Sequence, residues 1–454
     1  MYYMDIFSVN KRIHFIGIGG ISMSGIAKFF LANGYTVSGS ERESSAVTTK
    51  LKNLGAKIYI GHKKENVVGA DAVIYTSAIS DDNPELKEAI KRKIKILKRS
   101  EVLGAILKRY NKSVGIAGCH GKTTATAMLT HILSDSGINA AAFIGGDDLT
   151  FGNYKSGKDI CVAEACEYKK NFLDLNPTIS VILNVDCDHM ESYGSFENLL
   201  SAFKQFSQSE YSVINADDEN CVKIIGDETL TFGIKNSADY TAENVTEGEN
   251  GYSFTAFKRG KKLGDVTLSV KGFHNVYNAL AAIACADILG VKFDTENLRK
   301  FKGVARRQEF LGKVKGVKVF ADYAHHPTEI TETLKAFNVS DSDLVVFQPH
   351  TYSRTRLLAE EFVAALKTVK NLLIYKTFPA REKFNIDGDA FTLYKKLKTV
   401  NCGVKFAADY KDLSKKVNLY SAKKEKSRRI VVLGAGDVYY DAKKIIIENA
   451  CQSR

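Results

Sequence analysis

Ser113-Val-Gly-Ile-Ala-Gly-Cys-His-Gly-Lys-Thr-Thr-Ala-Thr-Ala-Met-Leu-Thr-His-Ile-Leu133 carries the decisive local signal of the chain. A short β-branched run leads into a glycine-rich turn, and an apolar-periodic stretch follows at once, so the segment reads strand, loop, helix. Gly118, Cys119, His120, Gly121, Lys122, Thr123 and Thr124 form the turn. The glycines let backbone N–H groups point inward around phosphate oxygens, and the helix N-terminus adds the positive end of its dipole. Lys122 is placed to reach the β- and γ-phosphates of a nucleotide, and the Thr123 hydroxyl to ligate Mg²⁺. A full phosphate-loop pattern has a glycine five residues before Gly121, where this chain has Ile116, so the loop is a shortened form. The expectation is an ATP·Mg²⁺ site.

The same alternation of β-branched runs and amphipathic stretches extends in both directions and predicts parallel sheets covered by helices, an α/β fold. Upstream, strands are expected at Arg12–Gly17, Tyr35–Ser40 and Asp71–Thr76, with a helix from about Ser22 to Asn33. Downstream they are expected at Asp159–Ala165, Thr178–Val185 and Tyr211–Asn215, with a helix near Asn275–Leu289. Fresh strand starts at Ser113 and Val317 divide the chain into three domains, expected at residues 1–107, 108–313 and 314–454. The last should contain strands at Val317–Asp322, Leu344–Gln348, Asn371–Tyr375 and Arg429–Leu433.

A chain of 454 residues exceeds what one hydrophobic core supports, which agrees with several domains. Its 44% apolar and 26% charged residues are those of a globular protein. No window approaches a membrane span, and the start, Met1-Tyr-Tyr-Met-Asp5, lacks the pattern of a secretory signal, so a cytoplasmic protein is expected. The net charge of +12 is spread along the chain without an RNA-binding aromatic motif or a Cys/His finger. Such a surplus could draw nucleic acid or anionic small molecules, but the short clusters at Lys91–Lys95 and Lys423–Arg429 read mainly as solvated faces, and no nucleic-acid partner is expected. None of the eight cysteines forms a C-x-x-C pair, and most lie in apolar runs, as buried reduced thiols do.

A second glycine turn, Gly17-Ile-Gly-Gly-Ile-Ser-Met-Ser-Gly25, follows the first strand. Gly17, Gly19 and Gly20 suit a diphosphate held against a helix N-terminus. Ser22 occupies the place of the third fingerprint glycine, which weakens an NAD(P) reading, and Glu41 stands where a ribose-binding acid belongs. In the middle segment Glu164 ends an apolar strand, and His189 follows another in Asn184-Val-Asp-Cys-Asp-His189. Strand C-termini line the ligand crevice of an open α/β sheet, so Glu164 is a candidate to share magnesium with Thr123. His189 is a less usual Mg²⁺ ligand, and Asp186 and Asp188 compete as oxygen donors.

In this order the pieces resemble the Mur ligase family of peptidoglycan precursor synthesis. The resemblance runs through collinear motifs over nearly the whole chain: His14–Ala27, Val37–Ser40, Gly118–Thr124, Asn184–Met190, His274–Leu280, Ala305–Glu309, Asp322–Glu329, Phe347–His350 and Gly434–Asp437. It implies an N-terminal Rossmann-like domain for a UDP-sugar, a central ATPase and a C-terminal Rossmann-like domain. The implied reaction joins an amine to UDP-N-acetylmuramate at the expense of ATP, and the first motif and the last four favour members that add L-alanine. Carried over by motif, Gly17, Gly19, Gly20 and Ser40 meet the UDP-sugar, Lys122 and Thr123 the phosphates and metal, and Glu164 and His189 the metal. Asn275 and Asn278 match adenine contacts, Asp322 a ribose contact, and Arg306 the arginine facing the transferred phosphate. Tyr323, His325 and Arg354 match positions around the amino acid. The chain departs from the family at Cys119, Glu41, the Glu164-Ala-Cys-Glu-Tyr168 run and Thr351, where some relatives have a second arginine. The rival readings are a ligase that recycles murein peptides onto the same nucleotide sugar, an NAD(P)-dependent oxidoreductase and a regulatory NTPase.

Overall fold

The computed structural model describes residues 7, 11–188, 190–249, 251–292, 294, 296–380, 382–423 and 428–452. The strands fall into three sheets, one for each of the expected α/β domains. They are distributed over two compact units, one of residues 1–269 and 274–302, the other of residues 270–273 and 303–454.

The first sheet has the order β3-β2-β1-β4-β5 and is parallel throughout. Its strands are β1 (Arg12–Ile16), β2 (Thr36–Glu41), β3 (Lys57–Ile60), β4 (Ala72–Tyr75) and β5 (Lys95–Lys98). Ile13, Phe15, Ile16, Val73 and Ile74 are fully buried, as strands covered on both faces require. The turn after β1 leads into the Ile21–Ala32 helix, one residue earlier than the pattern predicts.

The second sheet has ten strands in the order β15-β14-β13-β12-β11-β10-β6-β9-β7-β8. Its parallel centre is built from β6 (Lys112–Ala117), β7 (Ala141–Asp148), β9 (Ile160–Glu164), β10 (Ile179–Ile182), β11 (Tyr211–Asn215) and β12 (Leu230–Gly233). One edge is the short strand β8 (Gly152–Lys155), antiparallel to β7. The other is a meander of β13 (Tyr240–Glu247), β14 (Tyr252–Lys258) and β15 (Lys261–Thr267). The Lys122–Asp135 helix is buried from Thr123 to Leu133 and packs on the His274–Ile288 helix. Ala279, Ala281, Ala282, Ala284 and Ala286 make the latter slim enough for close approach.

The first two sheets share one core. Phe29 of the Ile21–Ala32 helix meets Phe143 on β7 and Tyr154 on β8, with ring centroids 6.0 and 6.3 Å apart. The Asn153 amide donates to Ile21 O at 2.6 Å and Ser24 Oγ at 2.8 Å, and its oxygen accepts from Lys28. Gly25, the last glycine of the first turn, lies against the Asn153 carbonyl at this junction, so its small size serves packing.

The third sheet, in the other unit, has the order β16-β17-β21-β18-β19-β20. Its strands are β16 (Glu309–Val314), β17 (Val317–Asp322), β18 (Leu344–Phe347), β19 (Asn371–Tyr375), β20 (Lys405–Ala407) and β21 (Arg429–Leu433). All pairings are parallel except β16 on β17. Among the described residues no helix is long and apolar enough to cross a membrane.

The junction yields a stability test. Gly104, in the Arg99–Leu107 helix, has no room for a Cβ, which would collide with the Asp174 carbonyl. Gly104→Ala should destabilise the chain by about 1–3 kcal/mol through overpacking. Gly226→Ala, whose Cβ would meet only Thr229 Oγ1 at 3.6 Å, should stay within about 0.5 kcal/mol. Paired denaturant melts measure both.

Candidate functional site

The phosphate loop joins the end of β6 to the helix that starts at Lys122. Gly118 and Gly121 adopt φ of 139° and 83°, conformations that favour glycine. A Cβ on Gly118 would press on Asn184 N at 3.2 Å, and one on Gly121 would collide with Asn278. Asn184 holds the loop reciprocally: its Oδ1 accepts from His120 N at 2.8 Å and its Nδ2 donates to His120 O at 3.0 Å. His120 Nε2 lies 3.1 Å from Asp186 Oδ2. Cys119, where a threonine is common, is buried and accepts at Sγ from Asp186 N. Burial pushes its thiol well above the usual range, so it acts here as a packing group.

Lys122 Nζ donates to Gly118 O at 2.5 Å and Cys119 O at 3.1 Å, and pairs with Glu167 Oε2 at 3.0 Å. Burial disfavours the ammonium, but Glu167 and then Glu164 outweigh it and hold its pKa above the ordinary lysine range. Glu167 is itself buried, and its carbonyl accepts from the Tyr193 hydroxyl. This acid, within the run that departs from the family pattern, went unassigned in the sequence. Its spacing from Glu164 was visible, but nothing local marked its approach to Lys122.

Glu164, at the end of β9, accepts from the Thr123 hydroxyl at 2.7 Å and from Gly145 N at 3.1 Å. The expected pair of magnesium ligands therefore meets beside Lys122. A hydroxyl and a carboxylate are the oxygen donors that Mg²⁺ prefers, so the residues fit the ion. His189 lies outside the described residues. Asp186, its oxygen competitor, is engaged by His120. Asn275 and Asn278 are buried on the helix that backs the loop, and Asn278 Nδ2 donates to Asn275 Oδ1 at 2.9 Å.

At the first turn, Gly17 N and Ile18 N donate to Ser40 O at 3.0 and 3.1 Å, fixing the turn to the end of β2. Gly19 N donates to Glu41 Oε2 at 3.0 Å, so the departure from aspartate still delivers a carboxylate to the turn. Beneath lies a polar cluster that motif reading did not reveal. Fully buried Glu85 accepts from Ser40 Oγ and Asn66 Nδ2, both at 2.5 Å, with His62 Nδ1 at 2.9 Å and His14 Nε2 at 3.7 Å. Burial would raise its pKa, but bonds from His14, Ser40, Asn66 and His62 prevail and bring it from 4.5 to about 2.

In the other unit, Asp322 ends β17 and is buried. Its carboxylate accepts from Gln308 N and Ala324 N at 2.9 Å and from Thr333 Oγ1 at 3.2 Å. Tyr323 and His325 follow at once, their rings 5.2 Å apart. His325 Nδ1 sits 3.1 Å from Glu329 Oε2, and its ring is 5.5 Å from that of His350. His350 stacks on Phe378 and receives Arg354 Nη1 at Nδ1, 3.4 Å away. The predicted trio of Tyr323, His325 and Arg354 is thus brought together, with His350 and Phe378 joining it. Thr351 has φ of 67° and donates its N–H to Phe378 O, so it shapes the backbone between His350 and Arg354. The guanidinium of Arg306 stacks over Tyr439 and Tyr440, at 4.3 and 4.7 Å. Arg307, absent from the motif reading, lies over Tyr323 at 5.1 Å and 3.8 Å from Glu329.

Three sheets, a phosphate loop with a carboxylate–hydroxyl pair beside it, and an aromatic, arginine-bearing cluster on the last sheet define a nucleotide-dependent ligase architecture. The family models agree: "Mur ligase family, catalytic domain" matches residues 12–111, "Mur ligase middle domain" 116–286, and "Mur ligase, glutamate ligase domain" 306–436. The chain belongs to the Mur ligase family. It is 42% identical to the UDP-N-acetylmuramate–L-alanine ligase of Clostridium beijerinckii, over 82% of this chain and 84% of that one. With the same enzyme of Clostridium tetani it shares 40% identity over 96% of this chain and 98% of the relative. The crystal structure of UDP-N-acetylmuramate–alanine ligase from Thermotoga maritima superimposes with a TM-score of 0.84 at 32% identity, covering 98% of this chain and 100% of that one. A murein peptide ligase from Psychrobacter arcticus shares the fold, with a TM-score of 0.74 at 23% identity, covering 97% of this chain and 98% of that one.

The Glu85 cluster makes acid stability testable. Because the folded pKa is depressed, its contribution is fully present above about pH 4.5 and is lost as pH falls through about 2. The stability advantage of the wild-type chain over Glu85→Gln should therefore shrink between about pH 5 and about pH 2. Paired melts across that range measure it; a constant difference would show that Glu85 is not the group responsible.

Proposed function

We propose that this chain is an ATP-dependent carboxylate–amine ligase that joins L-alanine to the muramoyl carboxylate of UDP-N-acetylmuramate, a step of peptidoglycan precursor synthesis. The observation that carries the proposal is the largely buried Lys122 beside the Thr123–Glu164 pair, in a chain whose relatives of that name match it nearly end to end.

The chemistry has two balanced steps. The muramoyl carboxylate attacks the γ-phosphate of ATP, expelling ADP and forming an acyl phosphate. The amine of L-alanine then attacks the acyl carbon, and inorganic phosphate leaves with formation of the amide. The first step brings two anions together, so fixed positive charge and inward N–H groups are what the loop has to supply. The N–H groups of Gly118–Thr124 and the Lys122 ammonium take this role. Glu167 and the loop carbonyls hold that ammonium until phosphate oxygens replace them.

Thr123 and Glu164, with His189 from the family pattern, would hold magnesium, which supplies charge neutralisation at the phosphates when bound. Asn275 and Asn278 are assigned to adenine, Asp322 to ribose, and Arg306 to the transferred phosphate with Arg307 as its neighbouring cation. Gly17, Gly19, Gly20 and Ser40 are assigned to the UDP-sugar. Arg354 takes the amino-acid carboxylate with a planar fork that lysine does not reproduce. Tyr323 bounds the pocket, and His325, oriented by Glu329, accepts a proton from the attacking amine.

Two measurements test this reading. Lys122→Ala should lower turnover by two to three decades, about 3–4 kcal/mol, while UDP-N-acetylmuramate binding stays near wild type. Glu164→Gln should steeply raise the magnesium requirement; normal turnover of the first variant and an unchanged titration of the second would refute both roles. The amine is identified by product mass with UDP-N-acetylmuramate, ATP and a panel of L-alanine, glycine, L-serine, D-alanine and L-Ala-γ-D-Glu-diamino acid tripeptide. L-Alanine should react fastest, with glycine disfavoured by at most about 1–3 kcal/mol for its missing methyl. Faster joining of the tripeptide would make this the recycling enzyme.

A further inference from the structure

The carboxylate of Glu85 poses a question that packing alone does not answer. Burying an ionised side chain is costly, and an apolar replacement of similar volume is often neutral or stabilising. Yet Glu85 collects its partners from three adjacent strands: His14 from the middle of β1, Ser40 from near the end of β2, and His62 from just after β3. Asn66 and the Asn83-capped start of the Pro84–Lys91 helix complete its surroundings.

The hydrogen bonds fix where the protons are. Ser40 has one hydroxyl proton, and its 2.5 Å contact with Glu85 Oε2 uses it, because an ionised carboxylate only accepts. The 3.0 Å contact between Ser40 Oγ and His62 Nδ1 therefore requires the proton to be on Nδ1. The same N–H points at Glu85 Oε2, 2.9 Å away. In the neutral ring Nε2 then carries a lone pair and accepts.

The place of His62 suggests what it accepts from. In a dinucleotide-binding sheet the diphosphate lies over the turn after the first strand and the ribose over the end of the next. Here those positions are Gly17–Gly20 after β1 and Glu41 at the end of β2. The next strand outward is β3, and His62 follows it. We propose that His62 reads the base of the nucleotide sugar by accepting from the imide N–H of uracil. Glu85 is the positioning residue that keeps the ring in the accepting tautomer. Cytosine has a lone pair where uracil has that N–H, so the arrangement rejects it. This deepens the UDP-N-acetylmuramate reading and rests on it.

Glu85→Gln tests the idea without changing side-chain volume. Asn66 donates to Oε1, so the glutamine oxygen should stay there and the new amide N–H should face His62. The ring then becomes the acceptor at Nδ1 and carries its proton on Nε2, the reverse of wild type. Titration calorimetry with UDP and CDP should show a wild-type preference for UDP of at least about tenfold, because a polar site rejects a partner that leaves it unpaired. In Glu85→Gln the ratio should fall to about one or invert, and the KM for UDP-N-acetylmuramate should rise about tenfold. The KM for ATP and the turnover number should stay within about twofold, a split that general destabilisation would not produce. His62→Ala should also abolish the preference, and it decides the matter if Glu85→Gln fails to fold. A wild-type UDP/CDP ratio in the folded Glu85→Gln or in His62→Ala overturns the proposal. Failure of the wild-type chain to bind UDP or use UDP-N-acetylmuramate overturns the substrate reading and this inference with it.

Discussion

One largely buried ammonium organises the centre of the larger unit. Lys122 Nζ is surrounded by two loop carbonyls and the Glu167 carboxylate, and each neighbour answers part of the cost of taking a cation out of water. Gly118 and Gly121 bend the loop into conformations that favour glycine, tight against Asn184 and Asn278. Asn278 brings the His274–Ile288 helix into the arrangement, and Asn184 the strand-end segment that leads to His189. The helix that follows the phosphate loop is buried from Thr123 to Leu133, and the loop backbone is held at His120 by both ends of the Asn184 amide.

Carboxylates at the C-terminal ends of parallel strands recur in all three sheets, with different duties. Glu164 stands with a threonine hydroxyl as a ready set of hard oxygen donors. Asp322 accepts three protein donors and stiffens the turn that carries Tyr323 and His325. Glu41 caps the first glycine turn, while Glu85 lies beneath that turn and ties its anchor, Ser40, to a histidine. The shared physical reason is geometric. The open ends of parallel strands leave N–H groups and helix N-termini facing one crevice, where anions are stabilised.

Much of this was legible in the sequence because it is local. The parallel strands announce themselves as short β-branched runs, and the phosphate loop, Glu164 and the Asp322–His325 run fall at their ends. The meander of β13, β14 and β15 was not legible: buried Tyr240, Ala242, Phe254, Ala256 and Val266 are interspersed with polar residues such as Glu243, Lys258 and Lys262, and no apolar run marks them. Strands β3, β5 and β20 are short and only half buried, so they too lack a distinct signal. Glu167, Glu85 and His62 escaped because their meaning lies in partners 45, 45 and 23 residues away. Motif spacing sees strand ends; it does not see which side chains the sheet order then brings face to face.

We propose that a carboxylate is activated by the γ-phosphate held over Lys122. This activation is tested most directly by following oxygen from a UDP-N-acetylmuramate labelled with heavy oxygen in its muramoyl carboxylate. With ATP and L-alanine, mass spectrometry of the products should find one labelled atom transferred to each inorganic phosphate released, with ADP unlabelled. Unlabelled phosphate alongside normal amide formation, or label recovered in AMP, would contradict the account.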